Sequence, residues 1–364
     1  GTGTTNVSSA YLHNTGTVEL QSGTLSHSGS GTHSGTFTIA AGCSLIIASG
    51  ASTTGDGTLY QGEGSLLLTG GSLSCTGTTT GTIVSNQTKF LLTGGEVNGA
   101  GKLTVQGEMN WGGNTYINVT SLTLSGTAAL TISGTQNKSF RFGRIYNNST
   151  VTWTGTGNFT GGAGAIFDNL SGGTFDIQND ANFSNDGGGG TLTFNNAGLL
   201  KKSAGDGNSS FISAQINNTG SVQVQSGALY LSSGGTHTGI FNISASKTLY
   251  FSGGNHYLNE GSAINGAGTL NITSGSLSCG ATITGTSVSA QTSVVYTGGT
   301  LEGAGNLIIN GTMDWSASNQ VSITTLTVGV GGSLTLSGAN NKSLRLGGGI
   351  KNYGTIHWTG TGNI

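Results

Sequence analysis

Few residues in this 364-residue chain can do chemistry: 13 Asp+Glu, 11 Lys+Arg, six His and three Cys. The acids gather at Asp168, Asp176, Asp180 and Asp186. Calcium takes several oxygen ligands, and the stretch Asn185–Gly190 could add carbonyls to those carboxylates. The Gly-Gly-x-Gly-x-Asp calcium repeat is not among these residues, so the expectation is a solvated acidic face. His33 and His237 each sit in a Thr-His-Ser/Thr-Gly string, and neither has a second His at ligand spacing. They read as turn or surface residues. The cysteines, Cys43, Cys75 and Cys279, read as small buried hydrophobes. Glycoside hydrolysis needs two facing carboxylates, for which Asp56, Glu63, Glu96 and Glu108 are the candidates.

The background against which these residues lie is unusual. Charged residues make up 7% of the chain, against about 25% in an average domain, with 69 Gly and no Pro. Gly/Ser-rich composition also suits disorder, but disorder comes with high net charge, and this chain stands at −2. Eleven scattered Lys+Arg form no basic patch, so nucleic acid is not an expected partner. No apolar run approaches the ~20 residues of a membrane span.

An internal repeat organises the sequence. Asn14–Gly23 (NTGTVELQSG) returns as Asn218–Gly227 (NTGSVQVQSG), at an offset of 204. The same offset maps Phe37 onto Phe241, Cys75 onto Cys279, Met109 onto Met313 and Trp111 onto Trp315. After one inserted residue, Trp153–Asn158 meets Trp358–Asn363 at offset 205. Residues 1–159 thus form an incomplete unit and 160–364 a second one, with 160–204 occurring once. Beginning and ending inside a unit leads to the expectation of further flanking units.

The repeat also weighs the candidates. Cys75 and Cys279 are too many coils apart for a disulfide, which needs Cα atoms ~4.4–6.8 Å apart. Cys43 could reach Cys75, but Lys247 stands at its equivalent position. Asp56 meets Glu260, whereas Glu63 meets Ala267, Glu96 meets Thr300 and Glu108 meets Thr312. Charged positions drift while apolar and glycine positions hold, which argues against a catalytic acid pair. No catalytic, cofactor-binding or metal-binding residue is assigned.

Within each unit, short runs alternate apolar and polar residues. Val18-Glu19-Leu20, Phe37-Thr38-Ile39, Leu130-Thr131-Ile132 and Phe140-Arg141-Phe142 are examples, as are Phe241-Asn242-Ile243 and Leu344-Arg345-Leu346. Period two is the strand signal, and the Gly- and Asn-rich pairs between runs suit left-handed corners. A strand paired on both sides tolerates no Pro. The reading is all-β: one continuous, elongated β-solenoid over 1–364, with two or three strands and about 20–22 residues per coil.

The Gly-x-apolar-x-apolar-x-Gly cadence, the NTG-V-x-V/L-x-SG strings and the WTGTGN tails resemble right-handed parallel β-helix surface proteins of bacteria. Filamentous-haemagglutinin-type adhesins and autotransporter passengers are the comparison. The resemblance implies an extracellular, cell-surface, non-enzymatic molecule without cofactor: a structural or adhesive segment of a longer fibre. Its expected partners are its own kind, end to end or through flanking repeats, and surface glycans. As a binding module it would use exposed aromatics, for which Tyr11, Tyr60, Tyr230, Tyr250 and Tyr257 are candidates. Polysaccharide-degrading enzymes that share the fold are a further, weaker alternative. A tiled Thr face for ice or crystal binding, with Thr123 as one tile, is broken by outward Glu19, Arg141, Asn242 and Arg345. Asn118, Asn148, Asn208 and Asn271 stand in Asn-x-Ser/Thr sequons.

Overall fold

The computed structural model describes residues 3–345 and 349–364. These residues form 45 short strands and no helix. They divide into two compact units, Gly1–Leu192 and Thr193–Ile364. Each unit is a parallel β-solenoid, and together they hold about 17 turns of about 21 residues.

In the first unit the strand Ser44–Ile47 pairs in parallel with Thr24–His27 on one side and Ser65–Leu68 on the other. The chain returns to the same stack after three strands, so a coil has three faces. The period-two runs place one side chain in and the next out. Leu45, Ile47, Leu66, Leu68, Phe90, Leu92, Met109 and Trp111 follow one another down the inside of this stack, all buried. Full burial of one such side chain contributes about 1.5–3 kcal/mol. Val18 and Leu20 also face inward, and Glu19 outward.

Two strands in each unit run through a corner. Glu96–Val105 pairs with both Ser72–Cys75 and Thr82–Val84, and Tyr116–Leu124 follows it. Thr300–Ile309 and Gln320–Val328 do the same in the second unit. Gly99 and Gly303 make the bend, at φ 111° and 117°, where an L side chain is strained.

Two expectations about the fold need correction. Asparagine does not take left-handed corners: the non-glycine residues at positive φ among those described are Ser9, Phe142, Ala163, Ser213 and Ser246. Asn works through its amide instead. Asn147 Nδ2 donates to Asn169 Oδ1 of the next coil at 2.7 Å, while Asn147 Oδ1 accepts from the Ser149 amide at 3.1 Å. In the second unit, Asn196 Nδ2 donates to Asn218 Oδ1 at 2.8 Å. A buried carboxamide has donors and acceptors enough to satisfy a corner and the coil beside it.

Phe142 does not face inward. The strand Lys138–Arg141 turns Lys138 and Phe140 into the core, and the chain then leaves it at φ 58°. Phe142 is 77% exposed. Lys138 lies buried, its Nζ donating to the Gln136 carbonyl at 2.6 Å. In the equivalent run only Ser343–Leu344 is a strand, and Leu346 lies outside the described residues.

Candidate functional site

The histidines read as turn or surface residues are core residues. Gly31–His33 and Gly235–His237 are strands whose outer members face inward, so both rings are buried. His33 stands edge-on to Phe37, with ring centroids 5.1 Å apart. His237 Nε2 lies 3.0 Å from His256 Nδ1, and His256 Nε2 lies 3.2 Å from the Leu231 carbonyl. Phe251 stacks on His256 at 4.3 Å. Desolvation lowers His33 and His256 to about 4 and takes His237 well below the ordinary imidazole range. The charges of His27 and His13 lower His33 further, and that of His256 lowers His237. These rings are neutral spacers with a polar edge.

The acidic cluster is not a solvated face either. Asp168 is buried because the Arg144 guanidinium covers it: Arg144 Nε bonds Asp168 Oδ2 and packs over the Tyr146 ring at 5.2 Å. Arg141 Nε reaches Asp186 Oδ2 at 2.6 Å. Asp176 is buried and accepts from Gln178 Nε2 at 2.8 Å, while Asp180 is exposed. Each outward Asp was legible as outward. The arginine one coil away for Asp168 and two coils away for Asp186, 24 and 45 residues off in sequence, was not.

Three of the four carboxylates weighed for acid–base work are engaged one by one, and Glu63 is exposed. Glu96 Oε1 accepts from Asn98 Nδ2 at 2.5 Å, and Glu108 pairs with Lys89 at 3.1 Å. Asp56 clasps the loop between Ser72–Cys75 and Thr82–Val84: its Oδ1 accepts from the amides of Thr79, Thr80 and Gly81 at 3.0, 2.8 and 2.8 Å. Glu260 clasps the equivalent loop through the Ile283 amide at 2.6 Å and the Thr284 hydroxyl at 2.7 Å. Those hydrogen bonds hold both carboxyls below their usual range. The clasp explains why this one acidic position is acidic in both repeats. Cys43, Cys75 and Cys279 are free and buried, and burial pushes the Cys279 thiol up to about 12.

Among the aromatic candidates Tyr60 is buried against Phe37 at 5.1 Å, facing inward within Leu59–Gln61. Tyr230 and Tyr250 stack on each other at 4.0 Å, their planes nearly parallel at 4°. Their mutual stack leaves neither inner ring face open to a ligand. Tyr11 and Tyr257 are exposed, at 76% and 44%. The sequence reading missed Tyr116, at 46% exposure, which a period-two count from Ile117 would have placed outside.

No family model, curated protein or solved structure matches this chain. The fold and the surface chemistry therefore carry the functional argument. No described helix is long and apolar enough to cross a membrane. Two surface concavities stand out, one in each unit. In the second unit Ser278, Glu302, Gln320 and Ser322 line one of about 560 Å³. Ser276 Oγ donates to Glu302 Oε1 there at 2.5 Å. In the first unit a trench of about 470 Å³ runs along Gly50, Gly71 and Gly95 to Glu96, Asn114 and Tyr116.

Proposed function

We propose that the chain is a structural and adhesive segment of an extracellular, cell-surface fibre, built by repetition of one coiled unit. The observation that carries this reading is where the two repeats differ. Phe37 and Phe241, Cys75 and Cys279, Met109 and Met313, and Trp111 and Trp315 are all buried pairs. The outward positions exchange freely: Ile46 for Tyr250, Glu96 for Thr300, Glu108 for Thr312, Thr53 for Tyr257. Duplication has kept what stacks one coil on the next and varied what faces solvent. A scaffold is retained in that way: the one outward acid kept in both repeats, Asp56 and Glu260, clasps a loop, whereas a repeated active site would retain a pair of outward acids.

In such a stack each coil covers the apolar inside of its neighbour, and stability is a sum of coil–coil terms. A terminal coil in any solenoid offers unpaired strand edges, so self-association end to end or through flanking repeats is the proposed mode of assembly. Catalysis has no place in this reading. Electron microscopy and fibre diffraction of the secreted protein test it. The expected result is filaments with a meridional spacing near ~4.8 Å. Globular particles, flexible threads, or release of soluble sugars from added polysaccharide would overturn it.

A further inference from the structure

The trench on the first unit brings one carboxylate, one carboxamide and one exposed tyrosine onto a bed of glycines. Its floor is a ladder of glycines, one per coil. A Cβ on Gly50 would lie 2.2 Å from the Gly29 carbonyl oxygen, one on Gly71 2.8 Å from that of Gly50, and one on Gly95 2.1 Å from that of Gly71. Coil stacking thus forbids side chains along this line and leaves a smooth backbone channel. At ~4.8 Å per coil, the run from Gly50 to Asn114 is roughly 14 Å. Asn114 and Tyr116 close one end, and Glu96 stands beside the floor, held by Asn98.

Three features narrow the ligand. Every strand under the trench is already paired on both sides, so an added peptide strand finds no edge. The charge lining the trench is one carboxylate, which disfavours polyanions. The exposed Tyr116 ring packs on no other ring among the described residues, and it combines an apolar face with a polar tip.

We propose that this trench binds a neutral or amino-sugar oligosaccharide, with a pyranose C–H face on the Tyr116 ring and its hydroxyls or amine on Glu96 and Asn114. The second unit supplies an internal comparison. Gly254, Gly275 and Gly299 repeat the glycine ladder, but Thr300 and Gln320 stand where Glu96 and Tyr116 would be. Asn319 Nδ2 also donates to the Gly299 carbonyl at 2.5 Å. The channel comes with the fold; the ring and carboxylate belong to the first unit alone. The inference stands independently of fibre formation, since a chain that never assembles can still bind.

The experiment is calorimetric titration of the full chain with neutral, N-acetylated, amino-sugar and uronic-acid oligosaccharides. One site per chain is expected, for a neutral or amino sugar. Tyr116→Gln, which installs the residue found in the second unit, lowers affinity by about tenfold or more. Glu96→Gln weakens amino-sugar binding most, and Tyr257→Ala leaves binding unchanged. Both trench residues face outward, so circular dichroism of the variants stays that of the parent chain. Failure to bind any class, a preference for uronic acids, two equal sites per chain, or affinity unchanged in Tyr116→Gln would each overturn the proposal.

Discussion

At the scale of single residues, this protein places polar groups where each settles a local debt of hydrogen bonds. Asp56 is the clearest case, because one carboxylate oxygen gathers three consecutive loop amides. Replacing it with Asn keeps an acceptor but removes the charge that strengthens those bonds. Asp56→Asn is expected to speed amide exchange at Thr79, Thr80 and Gly81 and to leave the strands unchanged, which native-state hydrogen exchange reads directly. Since the folded carboxyl titrates below its unfolded value, its contribution is present above about pH 4 and is lost as pH falls through the folded pKa. The buried imidazoles act in a higher window. His256 falls from about 6.5 unfolded to about 4 folded, so the unfolded chain takes up the proton first. The His256 contribution is constant above pH 7, declines below about 6.5 and levels off near 4, a cost on the order of 3 kcal/mol, while His237, held lower still, and Asp56 go on withdrawing stability below that. Urea midpoints between pH 7 and 4 check this, and the double variant His237→Gln/His256→Gln should show a shallower slope whatever its stability at neutral pH.

Elements were the most legible scale. Period-two runs such as Leu130-Thr131-Ile132 announce a strand and its inner face, and Ala129–Ile132 bears them out. What the sequence could not reveal was which alternation ends. Phe140-Arg141-Phe142 has the right pattern, yet the chain turns out at Phe142 because the next coil corner begins there. His33 was misread for the opposite reason: a Thr-His-Ser-Gly string looks like a turn, but the alternation carries on through Gly31 and puts the ring inside. Surface partners such as Arg144 and Asp168 depend on inter-coil register, which no local pattern encodes. Corners are equally demanding. Gly275 has φ 79°, and a Cβ there would lie 2.2 Å from the Gly254 carbonyl oxygen. Gly275→Ala therefore adds a steric clash to the ~1–2 kcal/mol of a left-handed non-glycine residue. A lowered melting temperature, larger than for Ala at the open Gly331 corner, is the expected outcome.

For the molecule as a whole, stability is distributed over coils within each unit rather than gathered in one centre. The first unit departs from this uniformity at one place. Phe159 touches a ring of aromatics, with Trp111, Phe140 and Phe183 at 5.7, 5.2 and 5.3 Å and Phe175 stacked at 6.2 Å. Phe159→Ala should cost about 3–5 kcal/mol through lost burial and the cavity left behind. Because coil–coil terms are local, the loss should appear in the first unit and leave the second nearly unaltered.

The three lone cysteines make that distinction measurable without any label being engineered. Cys43 and Cys75 are sealed inside the first unit and Cys279 inside the second. An alkylating reagent reaches a sealed sulfur only when the surrounding turns part, so the rate of modification at each becomes a clock for breathing in its own half. In the Phe159→Ala chain, Cys43 and Cys75 should react faster while Cys279 keeps its parental pace. Equal acceleration at all three would mean that the chain opens as one.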